Sequence, residues 1–186
     1  MMNDIAATAP VLAVFASDKG PGDAERASLM TQTGTYFARR GARIVCLVEQ
    51  GVIPVPLITA ARAAGGAVQL IADASIVLPS ALAGVAMEVI ADRAERLARV
   101  AALADALVAL PGSLASVSSL FGVWTVARGN GRNCPVVMLN RHKAYEVMRG
   151  YAADVLSHGL SGHDKAVQFA DSVEDLWSRV SRLVER

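Results

Sequence analysis

Short apolar runs rich in Val, Ile and Leu recur along the chain, and each is followed by a longer segment of helical periodicity. Strands of this kind are apolar on both faces, and parallel neighbours can be joined only through a crossover, so the alternation dictates a parallel sheet covered by helices. Strands are expected at Val11 to Ala16, Arg43 to Val48, Ala67 to Ile71, Ala106 to Leu110, Pro135 to Leu139 and Val167 to Phe169. Helices fill the gaps. The first runs from Asp23 to Arg40 and stops at Gly41; the second, Pro56 to Ala64, stops at Gly65-Gly66. A third spans Met87 to Leu103, and the last opens on a capping box, Asp171-Ser172-Val173-Glu174. With no repeat or linker, residues 1–186 read as one Rossmann-like, doubly wound αβα domain, with residues 1–10 as an N-terminal extension. Ligands in such sheets bind beyond the carboxyl ends of the strands. The turns after Ala16, Val48, Ile71 and Leu110 are therefore the places to search.

Composition narrows the function. The 186 residues are 53% apolar, with 18 basic and 17 acidic side chains and a formal charge of +1, which excludes a disordered chain and a basic nucleic-acid-binding domain. Fifteen of the basic residues are Arg, spread along the chain among acids. Cys46 and Cys134 stand far apart, with no CxxC spacing, and read as reduced core thiols of a cytoplasmic protein without a metal. No signal peptide is expected from the N-terminal residues. Ala106 to Ala127 carries no charge and has the length of a membrane span, but Pro111, Gly112 and the serines that follow break it into a strand, a turn and a helix. No membrane partner is expected. His142, His158 and His163 lack partners at ligand or triad spacing and read as surface histidines.

The turn Pro111-Gly112-Ser113-Leu114-Ala115-Ser116-Val117-Ser118-Ser119 opens a helix at the carboxyl end of a strand. Its first amides and dipole make an anion site, in which Ser113 or Ser116 hydrogen-bonds a phosphate; the plainer reading of the residues is that these serines only cap the helix. The loop Ser17-Asp18-Lys19-Gly20-Pro21-Gly22 after the first strand is either a second ligand turn, with Ser17 as its hydroxyl, or a polar connection to a helix capped by Asp23. Arg93, Arg96 and Arg99 share one helix stripe. Asp92 to Arg96 and Glu95 to Arg99 are acid-first i, i+4 pairs, the mark of a solvated face.

Ala104-Asp105-Ala106-Leu107-Val108-Ala109-Leu110-Pro111-Gly112 resembles the ADAxIALPGGxGTxxE signature of the LONELY GUY, or lysine decarboxylase-like, family. The likeness continues through Trp124-Thr125, Ala127 and Pro135 to Leu139-Asn140 and Tyr145. Upstream, Asp92-Arg93-Ala94-Glu95-Arg96 is similar to the family's DMHxRK segment, Arg39-Arg40-Gly41 to its RG turn, and Ala60-Ala61 to Gly65-Gly66 to its ADAALxxGG helix. It covers about residues 11 to 180. The resemblance implies a Rossmann-type phosphoribohydrolase that releases a base from nucleoside 5′-monophosphates, a homodimer, and no cofactor. It also implies a ligand-facing Arg96 as the catalytic arginine, and a phosphate held by Ser17, Gly112, Ser113, Ser116 and Ser119.

This chain departs from that pattern where the chemistry lies. The family's second and third turn glycines are Ser113 and Ala115, its threonine is Ser116, and its glutamate is Ser119. Its glycine-rich GGGxxGLMG turn corresponds to Leu47-Val48-Glu49-Gln50-Gly51-Val52-Ile53-Pro54-Val55, with every aligned glycine replaced. The lysine beside the arginine is Leu97. Cleaving an N-glycosidic bond builds positive charge on the ribose, which serine cannot stabilise, so Glu49 or Glu88 would have to supply the carboxylate. Three functions follow: a protein binding a nucleotide or other phosphate-bearing ligand with lost or altered activity, an active nucleoside 5′-monophosphate phosphoribohydrolase, and a non-catalytic scaffold subunit.

Overall fold

The computed structural model describes residues 9–17 and 23–185. The loop 18–22, residues 1–8 of the expected extension and the expected cap by the Asp23 side chain lie outside the described residues. Seven strands, β1 (Val11–Phe15), β2 (Arg43–Val48), β3 (Val68–Ala72), β4 (Ala86–Val89), β5 (Ala106–Ala109), β6 (Val136–Leu139) and β7 (Val167–Ala170), form one parallel sheet in the order β4-β3-β2-β1-β5-β6-β7. The inner strands are apolar on both faces because helices cover both. On one face lie α1 (Asp23–Arg39), α2 (Val55–Ala63) and, near the C-terminus, a helix over Val173–Val184, with Phe37, Leu57 and Leu176 fully buried. The other face is covered by α3 (Arg93–Leu103) and α4 (Leu114–Gly129), through Val100, Leu120 and Val123. Between β6 and β7 come α5 (Glu146–Tyr151), a π-helical stretch (Ala152–Leu156) and the single turns α6 (Ser157–Gly159) and α7 (His163–Ala166), so the C-terminal helix is α8.

Two sequence expectations need correction, the helix from Met87 to Leu103 and the capping box at Asp171. Met87 to Val89 is not helical: Ala86-Met87-Glu88-Val89 pairs with β3 as an edge strand, Leu70 against Met87 and Ile71 against Glu88. Helix α3 starts only at Arg93, because Asp92 in an extended conformation accepts a hydrogen bond from the Glu95 amide (2.9 Å) and sets the start there. The capping box of α8 sits one residue later than expected, with Ser172 Oγ accepting from the Asp175 amide and Asp175 reaching back to the Asp171 amide. The uncharged stretch 106–127 does divide into β5, a turn and part of α4, and no helix among the described residues is long and apolar enough to cross a membrane.

From β1 the chain moves outward to β2, β3 and β4 on one side; it then returns to place β5 on the other side of β1. The order reverses between β1 and β5. Their carboxyl ends open a crevice there, the position at which doubly wound sheets hold ligands.

Candidate functional site

Helix α4 begins in this crevice. Ser113 is its N-cap, with Oγ accepting from the Ser116 amide (3.3 Å), while Ser116 Oγ donates to the Ser113 carbonyl (2.8 Å). Gly112 has no room for a side chain: a Cβ would lie 2.6 Å from Ser116 Oγ and 3.3 Å from the Ser17 nitrogen. The glycine thus lets the β5 turn close against the end of β1. Ser17, Gly112, Ser113 and Ser116 are brought together, and Ser119 lies one turn further along α4; Ser17, Ser116 and Ser119 are all buried.

On the other side of the α4 start, β2 ends in a turn that carries Glu49 inward. Gln50 and Gly51 take left-handed conformations (φ 55° and 71°), and the Val52 amide donates to the Glu49 carbonyl. The Gln50 amide donates to Asp73 Oδ2 (3.1 Å). Hydrogen bonds from the Ser75 hydroxyl and then the Ser75 amide, more than that from Gln50, hold the Asp73 carboxyl below the usual aspartate range.

The carboxylate of Glu49, only 7% exposed, is fully engaged by the protein. Oε1 accepts from Ser119 Oγ at 2.9 Å and lies 3.3 Å from Arg93 Nη2; Oε2 accepts from Arg96 Nη2 at 3.1 Å. Arg96 is 5% exposed, and its Nη1 donates to the carbonyls of Ile90 and Ala91. It therefore ties the exit of β4 and the end of β2 to α3, and its buried Nε has no hydrogen-bond partner among the described residues. The expected i, i+4 pairs do not set this stripe. Arg96 and Arg93 reach Glu49, while Arg99 pairs with Glu88 across to β4 (3.0 Å). Of the two carboxylates considered as replacements for the missing glutamate, Glu49 meets Ser119, whereas Glu88 stands on the edge strand with Arg99 and Gln69. What space is left between Leu47, Glu49, Val52, Pro54, Ala115 and Ser119 is a cavity of ≈ 20 Å³. That volume holds about one water molecule.

The opposite side of the α4 start is open. Tyr145 OH donates to the Leu110 carbonyl (2.5 Å), the Tyr145 amide to Asn140 Oδ1 (2.7 Å), and Asn140 Nδ2 to Glu146 (2.9 Å), so the turn after β6 is braced against β5. Burial pushes the Tyr145 hydroxyl's pKa up. Within this turn His142 and Lys143 are left-handed (φ 52° and 61°), which no glycine in the sequence announced. His142 Nε2 lies 2.6 Å from Glu25 Oε1 at the start of α1, so this histidine has a partner that sequence spacing did not reveal. Beside the turn runs a groove of ≈ 410 Å³ lined by Arg26, Ser113, Leu114, Val117, Val147 and Met148.

Among the described residues no group of three or more His, Cys, Asp or Glu side chains is placed to hold a metal. Cys46 and Cys134 are buried free thiols, and desolvation pushes their pKa values up to about 12 and about 11.

A parallel, seven-stranded sheet with helices on both faces and a serine-capped helix at its switch point defines a Rossmann-like α/β protein. A family model described as "Possible lysine decarboxylase" matches residues 48–180, and the chain belongs to this family. Among solved structures it is similar to the molybdenum cofactor carrier protein of Chlamydomonas reinhardtii (TM-score 0.68, 17% identity, covering 96% of this chain and 99% of that one). The molybdenum cofactor binding protein of the phototrophic bacterium Rippkaea orientalis is similar at TM-score 0.65 and 17% identity, with 96% and 99% covered. A structural-genomics target, TM1055, is similar at TM-score 0.67 and 19% identity, with 93% and 99% covered. No curated protein sequence matches the chain significantly.

Proposed function

We propose that this chain binds a nucleotide or another small phosphate-bearing ligand at the start of α4, with the phosphoribohydrolase activity implied by its resemblance lost or altered. The observation that carries this reading is the unequal state of the two sides of that turn. Gly112, Ser113 and Ser116 keep a capped helix start aimed at the crevice. The side where a ribose would need a free carboxylate is filled by a Glu49 already engaged by Arg93, Arg96 and Ser119. Titration calorimetry with adenosine 5′-monophosphate and with inorganic phosphate tests it. Binding is expected with both and should be lost in Ser116→Asp, whose charge repels an anion at the helix start; absence of binding would leave the scaffold reading. Because the similar proteins from Chlamydomonas and Rippkaea are molybdenum cofactor carrier and binding proteins, that cofactor is the third ligand to titrate.

One observation favours the active hydrolase as a second reading. Glu49 Oε1 lies 2.9 Å from Ser119 Oγ, so a carboxylate has been regained beside the position from which the resemblance says one is missing. Base release by the parent chain that disappears in Glu49→Gln, under conditions where a melt shows the variant folded, would establish it. The protein is proposed to act as a homodimer in the cytoplasm; sedimentation at micromolar concentration should give the dimer mass, and a monomer would refute that part.

A further inference from the structure

Resting on the reading that a phosphate or similar anion binds at the α4 start, we infer that the organic part of the ligand lies in the groove between α4 and α5, as a flat apolar or heteroaromatic group. The two sides of the helix start offer it very different space. The crevice toward β2 holds ≈ 20 Å³, whereas the groove toward α5 holds ≈ 410 Å³, within the range of small-molecule sites. Its walls match such a group. Leu114 and Val147 are 85% and 84% exposed, among the most exposed large apolar side chains of the described residues, and Val117 and Met148 continue the apolar surface between them. Among the described lining residues the polar groups are Ser113 and Gly112 of the helix start, Arg26, and Tyr145, whose hydroxyl is already bonded to Leu110. An adjoining recess of ≈ 140 Å³ shares Arg26, Pro111 and Ala144 with the groove and adds Arg141 and His142. The carboxylate lining that recess, Glu25, is paired with His142.

The floor is also fixed in advance. Tyr145 is bonded to Leu110 and Asn140, and the left-handed pair His142-Lys143 holds the turn in one sharply bent form. Conformations of this kind cost free energy and persist where the surroundings impose them. An anionic head at Gly112 and Ser113 with its ring against Leu114, Val117 and Val147 uses the polar end and the apolar walls at once, and it leaves the Glu49 cluster untouched.

The test is calorimetric titration of the full chain with 1-naphthyl phosphate and with inorganic phosphate. The naphthyl ester should bind at least tenfold more tightly. Ala144→Trp, at an exposed position lining both groove and recess, should erase that difference and leave inorganic phosphate binding as it was. Val147→Asn should reduce the difference, and Val52→Phe, in the lining of the narrow crevice, should not. Thermal melts identify variants that fail to fold, and Val147→Asn, on an exposed helix position, provides an arm without added bulk. If Val52→Phe erases the preference and Ala144→Trp does not, or if the two probes bind alike, the groove assignment is overturned while the anion site stands. If neither probe binds, the anion site falls and the groove assignment with it.

Discussion

At the scale of single residues, Glu49 decides how the site behaves. Its charge is buried, and Arg96 is buried with it, so removing one leaves the other unpaired in a poorly solvated place. Glu49→Gln is expected to lower stability by about 3 kcal/mol, read from urea unfolding. Arg93→Gln should cost under about 1 kcal/mol, because Arg93 is half exposed and water screens its share. Equal losses for the two would show that Glu49 is not held chiefly by Arg96. Hydrogen bonds from Ser75, and to a smaller extent the Gln50 amide that anchors this turn, depress the Asp73 carboxyl pKa, so they stabilise the fold above the ordinary aspartate range, and that contribution is lost as pH falls below it. Acid unfolding of Asp73→Asn should consequently begin from a lower stability and change less steeply with pH. Sequence could nominate Glu49 but not its partners. Arg96 lies 47 residues away; its helix pattern alone reads as a solvated stripe and the resemblance turns it toward a ligand, and neither pairs it with Glu49.

At the scale of elements, close approach matters more than propensity. A Cβ on Gly34 in α1 would stand 2.4 Å from the Leu57 carbonyl of α2, a backbone atom that cannot rotate away. Alanine gains about 1 kcal/mol of helix propensity over glycine, yet Gly34→Ala should be destabilising by about 1–3 kcal/mol, because α1 and α2 must part. A melting temperature at or above that of the parent chain would refute the close packing. Ser113→Ala removes the cap of α4 and should cost about 1 kcal/mol. The strands in the middle of the sheet were legible because continuous Val, Ile and Leu runs such as Arg43 to Val48 fit burial on both faces. Strand β4 was not, since at the sheet edge Met87 and Val89 remain 40% and 53% exposed, and Glu88 interrupts the apolar run Val85 to Ala91 that leads into the helix. The start of α4 was legible for the opposite reason: proline, glycine and serine between an apolar run and a helix leave the backbone few alternatives. Neither the left-handed His142-Lys143 turn nor the filling of the crevice by Glu49 has such a local signal; both involve partners distant in sequence, His142 with Glu25 and Glu49 with Ser119.

At the scale of the whole molecule, the fold of the family is retained while the crevice at its switch point is occupied by the chain's own side chains. Release of base from adenosine 5′-monophosphate should therefore be slower than expected of an enzyme of this class by on the order of a hundredfold to a thousandfold, the usual effect of losing one electrostatic stabiliser. Restoring Ser119→Glu alone should not help. The new carboxylate would enter beside Glu49, whose Oε1 already lies 2.9 Å from the Ser119 oxygen, and two anions at that separation raise each other's pKa and repel. The single variant should be less stable than the parent at neutral pH and should recover part of the loss on mild acidification, when one carboxyl takes up a proton. Coupling it to Glu49→Gly returns one carboxylate to α4, keeps Arg96 paired and opens the turn after β2. That double variant should exceed Ser119→Glu in both stability and base release, with a coupling of at least about 1 kcal/mol in a double-mutant cycle. Additive effects of the two substitutions would show that residues 49 and 119 do not share one anionic position.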